Sequence, residues 1–266
     1  MLAARLGGRP FDASVRGVAI AAELAHAATL LHDDVLDQAD VRRGLPAARV
    51  VYGNHASVLG GDHLLVAALR HVPGDPIREA FLGVLDELVQ AEVAQLERRG
   101  RFVPERTAWR ATALGKTASL FRFCLWSGGW LGGLRGAPLD ALAQLGDTLG
   151  LAFQLVDDLL DLEGDPAVTG KEIGADLRDG KLTWPLILAT ERDPALGELL
   201  ARVAAGEGLC LRPAIERVRA TGALEAARAD VAQYADAGRT LLAQLPAGPA
   251  RDGLALFIEA LARRCA

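Results

Sequence analysis

Two short acidic runs hold the side chains best suited to chemistry. The first is Leu31-His32-Asp33-Asp34-Val35-Leu36-Asp37, and the second is Phe153-Gln154-Leu155-Val156-Asp157-Asp158-Leu159-Leu160-Asp161. On a helix Asp33 and Asp37 stand one turn apart on one face, and Asp157 and Asp161 repeat that spacing. A single run of this kind reads most simply as an acidic helix end facing water. Two copies, each ending an apolar helix and neither interleaved with lysine, point instead to ligands for a hard divalent cation. Carboxylate oxygens suit Mg²⁺, which keeps several waters and takes the rest of its shell from phosphate oxygens. No Cys/His set has the spacing of a Zn²⁺ site.

Basic residues accompany both runs. Arg42 and Arg43 follow the first, Lys171 and Lys181 follow the second, and Lys116-Thr117 lies between them. Any one of these bases alone would be a surface ion pair of little energetic weight. Beside two cation-type carboxylate clusters they form the second half of a diphosphate site, because Arg forks and Lys point charges recognise phosphate.

These side chains need helices to hold them. Ala and Leu dominate, aromatic residues make up 5%, and alternating β-branched runs are scarce. Apolar residues recur at i+3 and i+4 over Asp12–Asp37, and again over Ala56–Arg70, Ile77–Arg99, Thr107–Leu131, Leu139–Leu162, Trp184–Thr190, Pro213–Thr221, Ala223–Leu245 and Gly253–Arg263. Gly and Pro break the pattern at His71–Pro76, Gly132–Pro138, Glu163–Gly170 and Pro246–Pro249. The reading is an all-α, single-domain helical bundle around a central apolar cavity. The 266 residues, 51% of them apolar, are enough for one buried core and exclude a disordered chain. A net charge of −5 argues against a general nucleic-acid binder. Three cysteines, Cys124, Cys210 and Cys265, fit a reduced cytoplasmic setting better than a disulfide framework. No uncharged apolar run is long enough to cross a bilayer.

Taken together, the segments His26–Asp37, Arg42-Arg43-Gly44, Gly53–Asp62, Lys116-Thr117, Phe153–Asp161 and Gly170-Lys171 through Lys181-Leu182-Thr183-Trp184-Pro185 resemble, in order and spacing, the trans-isoprenyl diphosphate synthases (the polyprenyl synthetase family). The likeness runs from near residue 1 to about Ala189 and is looser beyond. It implies the isoprenoid synthase type I fold, a homodimer, and about three Mg²⁺ ions per active site. It also implies roles. Asp33 and Asp37 would ligate Mg²⁺ bridging an allylic diphosphate, and Asp157, supported by Asp161, would hold a further ion. Asp34 and Asp158 would be ligands or would support them. Arg42, Lys116, Thr117, Gln154, Lys171 and Lys181 would contact the allylic diphosphate, with His26 and Arg43 on the isopentenyl diphosphate. Without the resemblance, His26 would read as a core histidine, and Thr117 and Gln154 as ordinary polar helix residues.

The implied reaction ionises the allylic diphosphate, joins the cation to the alkene of isopentenyl diphosphate, and loses a proton, for which the departing diphosphate is the implied acceptor. Ala28 and Ala25, about one and two turns before Asp33 and roughly on its face, are expected to set chain length. A bulky residue at Ala28 would be a floor, and its absence favours a medium-to-long product, with geranylgeranyl diphosphate possible. Phe121, Phe123, Trp126 and Trp130 are either ordinary core or a plug for the tunnel. Ahead of its first helix the family carries a G-G-K-R-x-R-P segment that binds isopentenyl diphosphate, and this chain has none. Residues 1–266 are therefore expected to be one domain without the family's first helix, either started late or built that way. Losing two charge-assisted phosphate contacts costs roughly 3–6 kcal/mol, so Mg²⁺ and allylic diphosphate should bind while condensation is poor. A non-catalytic subunit of a heteromeric synthase is the alternative, and a plain helical scaffold is a third reading.

Overall fold

The computed structural model describes residues 1–42, 44–164 and 173–264. In chain order these form α1 (Leu2–Leu6), α2 (Ala13–Leu36), a hairpin of β1 (Val41–Arg42) and β2 (Leu45–Pro46), α3 (Ala48–Tyr52), α4 (Asn54–His71), α5 (Ile77–Arg98) and α6 (Arg106–Ala113). A π-turn at Leu114–Ala118 leads into α7 (Ser119–Leu131), followed by α8 (Ala137–Glu163), α9 (Ala175–Arg178), α10 (Trp184–Arg192) and α11 (Leu196–Ala204). A 3₁₀ turn at Gly208–Cys210 precedes α12 (Leu211–Ala220), α13 (Ala223–Leu242) and α14 (Pro249–Arg263).

Local chemistry accounts for the helix starts. The Asp12 carboxylate accepts the Val15 N–H at 3.0 Å and caps α2. Pro138 opens α8 and Pro185 opens α10, at positions whose missing N–H costs nothing. The apolar pattern over Thr107–Leu131 predicts one continuous helix, but the structure inserts the π-turn. Gly115 sits within it because the chain passes hard against α5, where a Cβ would come 2.7 Å from the Ala91 Cβ and 2.8 Å from the Glu87 carbonyl.

Helix α8 is apolar nearly all round and is accordingly central. Its residues Leu142, Leu145, Leu155, Leu159 and Leu162 anchor the larger core cluster, to which α1 and α10 to α14 contribute. A second cluster joins Val18, Ala21 and Ala25 of α2 to Phe81 and Val84 of α5 and Phe123 of α7. Helices α7 and α8 approach closely, since a Cβ on Gly146 would lie 2.3 Å from the Arg122 Cα, and one on Gly150 would lie 2.3 Å from the Ala118 Cα of the π-turn. That closeness brings the π-turn up against the end of α8. Helix α2 is long and apolar enough to cross a bilayer, and here it packs chiefly against α4.

Candidate active site

A cavity of about 860 Å³ opens between the ends of α2 and α8, walled also by α5, α6, the π-turn and α7. At about 100° per residue, positions 4, 7 and 11 before Asp33 return to its face within roughly 40°. Those positions are Thr29, His26 and Ala22, and all three line the cavity with Asp33 and Asp37. Asp34 is turned elsewhere. It is buried and accepts from the Arg42 guanidinium, Nε at 2.8 Å and Nη2 at 2.5 Å. The Asp34–Arg42 pair thus pins the β1–β2 hairpin to the end of α2, while Arg42 still borders the cavity.

At the end of α8, Asp157 lines the cavity beside Gln154. Asp158 is buried and fully engaged. It accepts from the Trp109 indole N–H at 2.8 Å, the Trp184 backbone N–H at 2.8 Å and the Gln154 amide at 2.9 Å. Burial pushes its carboxyl up to about 7, against the pull of those donors. Gln154 in turn accepts from the Thr117 hydroxyl at 2.8 Å, so Trp109, Asp158, Gln154 and Thr117 hold one another in a chain along the wall. Asp161, expected to support the second ion, does not line the cavity: it is buried and ties down the start of α9, accepting from the Asp176 N–H at 3.2 Å, while its carbonyl accepts from Gly174 N–H at 2.7 Å.

Both lysines pair with the acidic end of α2 and line the cavity that Asp157 also lines. Lys116, on the π-turn, reaches Glu92 at 2.5 Å, Asp33 at 3.3 Å and Gln95 at 3.3 Å. Lys181 donates to Asp37 at 2.7 Å and lies 3.5 Å from Asp179 and 3.7 Å from Asp176. Burial opposes the charge on Lys181, but Asp176, Asp37 and Asp179 outweigh it and raise the ammonium above its ordinary range. Arg99 adds a longer pair with Asp37 at 3.6 Å. The sequence reading missed Glu92, Gln95, Asp176 and Arg99. Glu92 and Gln95 carried a signal in their i, i+3 spacing on α5, whereas nothing local marked Arg99 or Asp176. Arg43 and Lys171 lie outside the described residues.

Ala25 and Ala28, the expected chain-length positions, are buried and do not line the cavity. They precede Asp33 by eight and five residues, which puts them about 80° and 140° off its face. Ala25 belongs instead to the second core cluster. Of the four aromatics after Lys116-Thr117, Phe121 lines the cavity and meets Phe153 at 5.6 Å. Phe123 packs on Phe81, and Trp126 stacks on Trp130, both in core positions.

The donor set fits Mg²⁺ with a phosphate ligand. Asp33, Asp37 and Asp157 offer only oxygens, and among the described residues no three metal-type side chains converge into a closed cage. Mg²⁺ normally takes one or two carboxylates and completes its shell with water and phosphate. Acidic helix ends beside a cavity with apolar walls and Lys and Arg in its lining have the chemistry to seat a diphosphate that carries an apolar tail.

Known proteins resemble this chain in sequence and in fold. The polyprenyl synthetase family profile matches residues 1–209. The chain is 35% identical over 260 residues to the octaprenyl diphosphate synthase of Escherichia coli, covering 96% of this chain and 80% of that one. It is 38% identical over 255 residues to the probable mitochondrial hexaprenyl pyrophosphate synthase of Neurospora crassa, covering 91% of this chain and just over half, 56%, of that protein. A crystal structure of a Caulobacter crescentus polyprenyl synthase, complexed with calcium and isoprenyl diphosphate, superposes with a TM-score of 0.93 at 35% identity, covering 100% of this chain and 83% of that one. The chain belongs to the polyprenyl synthetase family.

Proposed function

We propose that this chain, as one domain, is a Mg²⁺-dependent trans-prenyltransferase that condenses isopentenyl diphosphate with an allylic diphosphate to give a medium-to-long trans-polyprenyl diphosphate. The observation that carries this reading is the meeting of Asp33, Asp37 and Asp157 on one cavity with Lys116 and Lys181 among them. Asp33 and Asp37 would hold Mg²⁺ on one side and Asp157 on the other. Bound there, Mg²⁺ would offset the charge that builds on the diphosphate as its C–O bond breaks. Lys116, Lys181 and Arg42 take phosphate oxygens on the same leaving group. Leu120, Phe121 and Phe153 keep water from the allylic cation and house the growing chain. His26, on the α2 wall, faces the second substrate. The new C–C bond leaves a tertiary cation, and the released diphosphate takes the proton that restores the alkene.

The test is a product assay with radiolabelled isopentenyl diphosphate over a range of concentrations, with dimethylallyl, farnesyl and geranylgeranyl diphosphate as primers. Extended prenyl products support the reading, and none with any primer rejects it. A silent subunit is not favoured, since it has no use for this set of carboxylates. A homodimer and a cytoplasmic setting complete the proposal. An exposed apolar stripe on α5, Leu82, Val89, Val93 and Leu96, supports the second copy.

Thr29, which lines the cavity where Ala28 does not, is the position proposed to limit chain length. Thr29→Phe places a ring in the cavity one turn before Asp33 and shortens the product distribution. Ala28→Phe forces the same ring into a filled helix contact and lowers stability by about 1–3 kcal/mol. Product chromatography and thermal unfolding of both variants separate the two effects.

A further inference from the structure

Six cationic side chains of the Lys/Arg type line the cavity among the described residues: Arg42, Arg98, Arg99, Arg101, Lys116 and Lys181. Four are already committed to carboxylates: Arg42 to Asp34, Lys116 to Asp33 and Glu92, and Lys181 and Arg99 to Asp37. An incoming phosphate must compete with those carboxylates for them. Arg98 and Arg101 differ, for neither makes an ion pair or a side-chain hydrogen bond among the described residues.

Their backbone is held in place. The Arg101 N–H donates to the Arg98 carbonyl at 2.9 Å, closing a tight turn around Gly100, whose φ of +77° suits glycine. The Gly100 N–H donates to the Gly180 carbonyl at 2.8 Å, and Arg99 Nε to the Asp179 carbonyl at 2.5 Å. Phe102, buried, anchors the far side. The turn is thus clamped to the strap that presents Lys181, next to Asp37, and it carries two uncommitted guanidinium groups on the cavity wall.

We propose that Arg98 and Arg101 are binding residues for the diphosphate of the allylic substrate, taking its phosphate oxygens without first breaking an internal ion pair. This deepens the prenyltransferase reading and rests on it. Their contribution falls on capture of the substrate, so it appears in Kd and KM, with kcat little changed.

The test is calorimetric titration of the full chain with farnesyl diphosphate and Mg²⁺, without isopentenyl diphosphate. The double variant R98A/R101A should weaken Kd by about tenfold or more and flatten its salt dependence, because two charge-assisted contacts are lost. R98K/R101K, which keeps the charge but loses the fork, should recover part of that loss. Arg212→Ala, on an exposed face of α12, serves as the charge control and should leave Kd unchanged. An R98A/R101A Kd within twofold of the parent overturns the proposal, as does an equal loss in the Arg212 control. A parent chain that binds no farnesyl diphosphate overturns the prenyltransferase reading along with it.

Discussion

Replacing Asp33 or Asp157 with alanine lowers kcat/KM by about 10³–10⁴-fold, or roughly 4–5.5 kcal/mol of transition-state stabilisation. The size follows from where the charge goes. As the allylic C–O bond breaks, negative charge collects on the diphosphate, and each of these carboxylates would fix a cation facing it. Removing one leaves that charge facing an incomplete shell in a low-dielectric cavity. The fold should tolerate the change, because both side chains line open space and Lys116 keeps its pair with Glu92 after Asp33 is lost. Asp34→Ala supplies the contrast. It empties a buried acceptor and strands the Arg42 guanidinium, so it costs about 1–3 kcal/mol of stability. Steady-state kinetics and urea unfolding on these variants should therefore sort neighbouring aspartates into two groups. A kinetic loss in Asp34→Ala as large as in Asp33→Ala, with equal stability, would contradict the assignment.

Lys116→Ala is the second large effect, with kcat falling by about 10²–10³-fold. Lys116 is the cation nearest Asp33, and it sits on the π-turn against α5. Its removal also leaves Glu92, largely buried, with no cation beside it, so stability falls too. The two losses separate in the double variant K116A/E92Q. Neutralising Glu92 restores most of the stability, while the kinetic defect stays, because no other group replaces the ammonium at the leaving diphosphate. Recovery of activity along with stability would mean that Lys116 acts only by holding α5 and the π-turn together.

Much of this site was legible in the residues themselves. The acidic runs at the ends of two apolar helices pointed to Asp33, Asp37 and Asp157 on the cavity wall, though the i, i+4 partner Asp161 turns inward, and the 3.6-residue apolar period gave the helices that carry them. What escaped was whatever depends on rotation about a helix axis or on contacts distant in sequence. Asp33 and Asp34 are equivalent in the motif, yet 100° of helical turn separates a cavity wall from a buried partner for Arg42. The same rotation takes Ala28 out of the cavity and puts Thr29 in. The π-turn was hidden because its cause is the approach of α5, which the local pattern of Thr107–Leu131 does not encode. Lys181 and Asp37 are 144 positions apart, and only the packed bundle shows that one neutralises the other. Arg99 and Gly100 were silent for the same reason, since their partners lie on the strap around Gly180.

The most direct measurement of the central claim is anomalous diffraction from crystals grown with Mn²⁺ and inorganic pyrophosphate. Mn²⁺ peaks should lie within about 2.0–2.6 Å of carboxylate oxygens of Asp33 and Asp37 and, separately, of Asp157, with pyrophosphate density between them. Pyrophosphate bound elsewhere, or Mn²⁺ confined to outer surfaces with Asp33 still paired to Lys116 and Asp37 to Lys181, would contradict it.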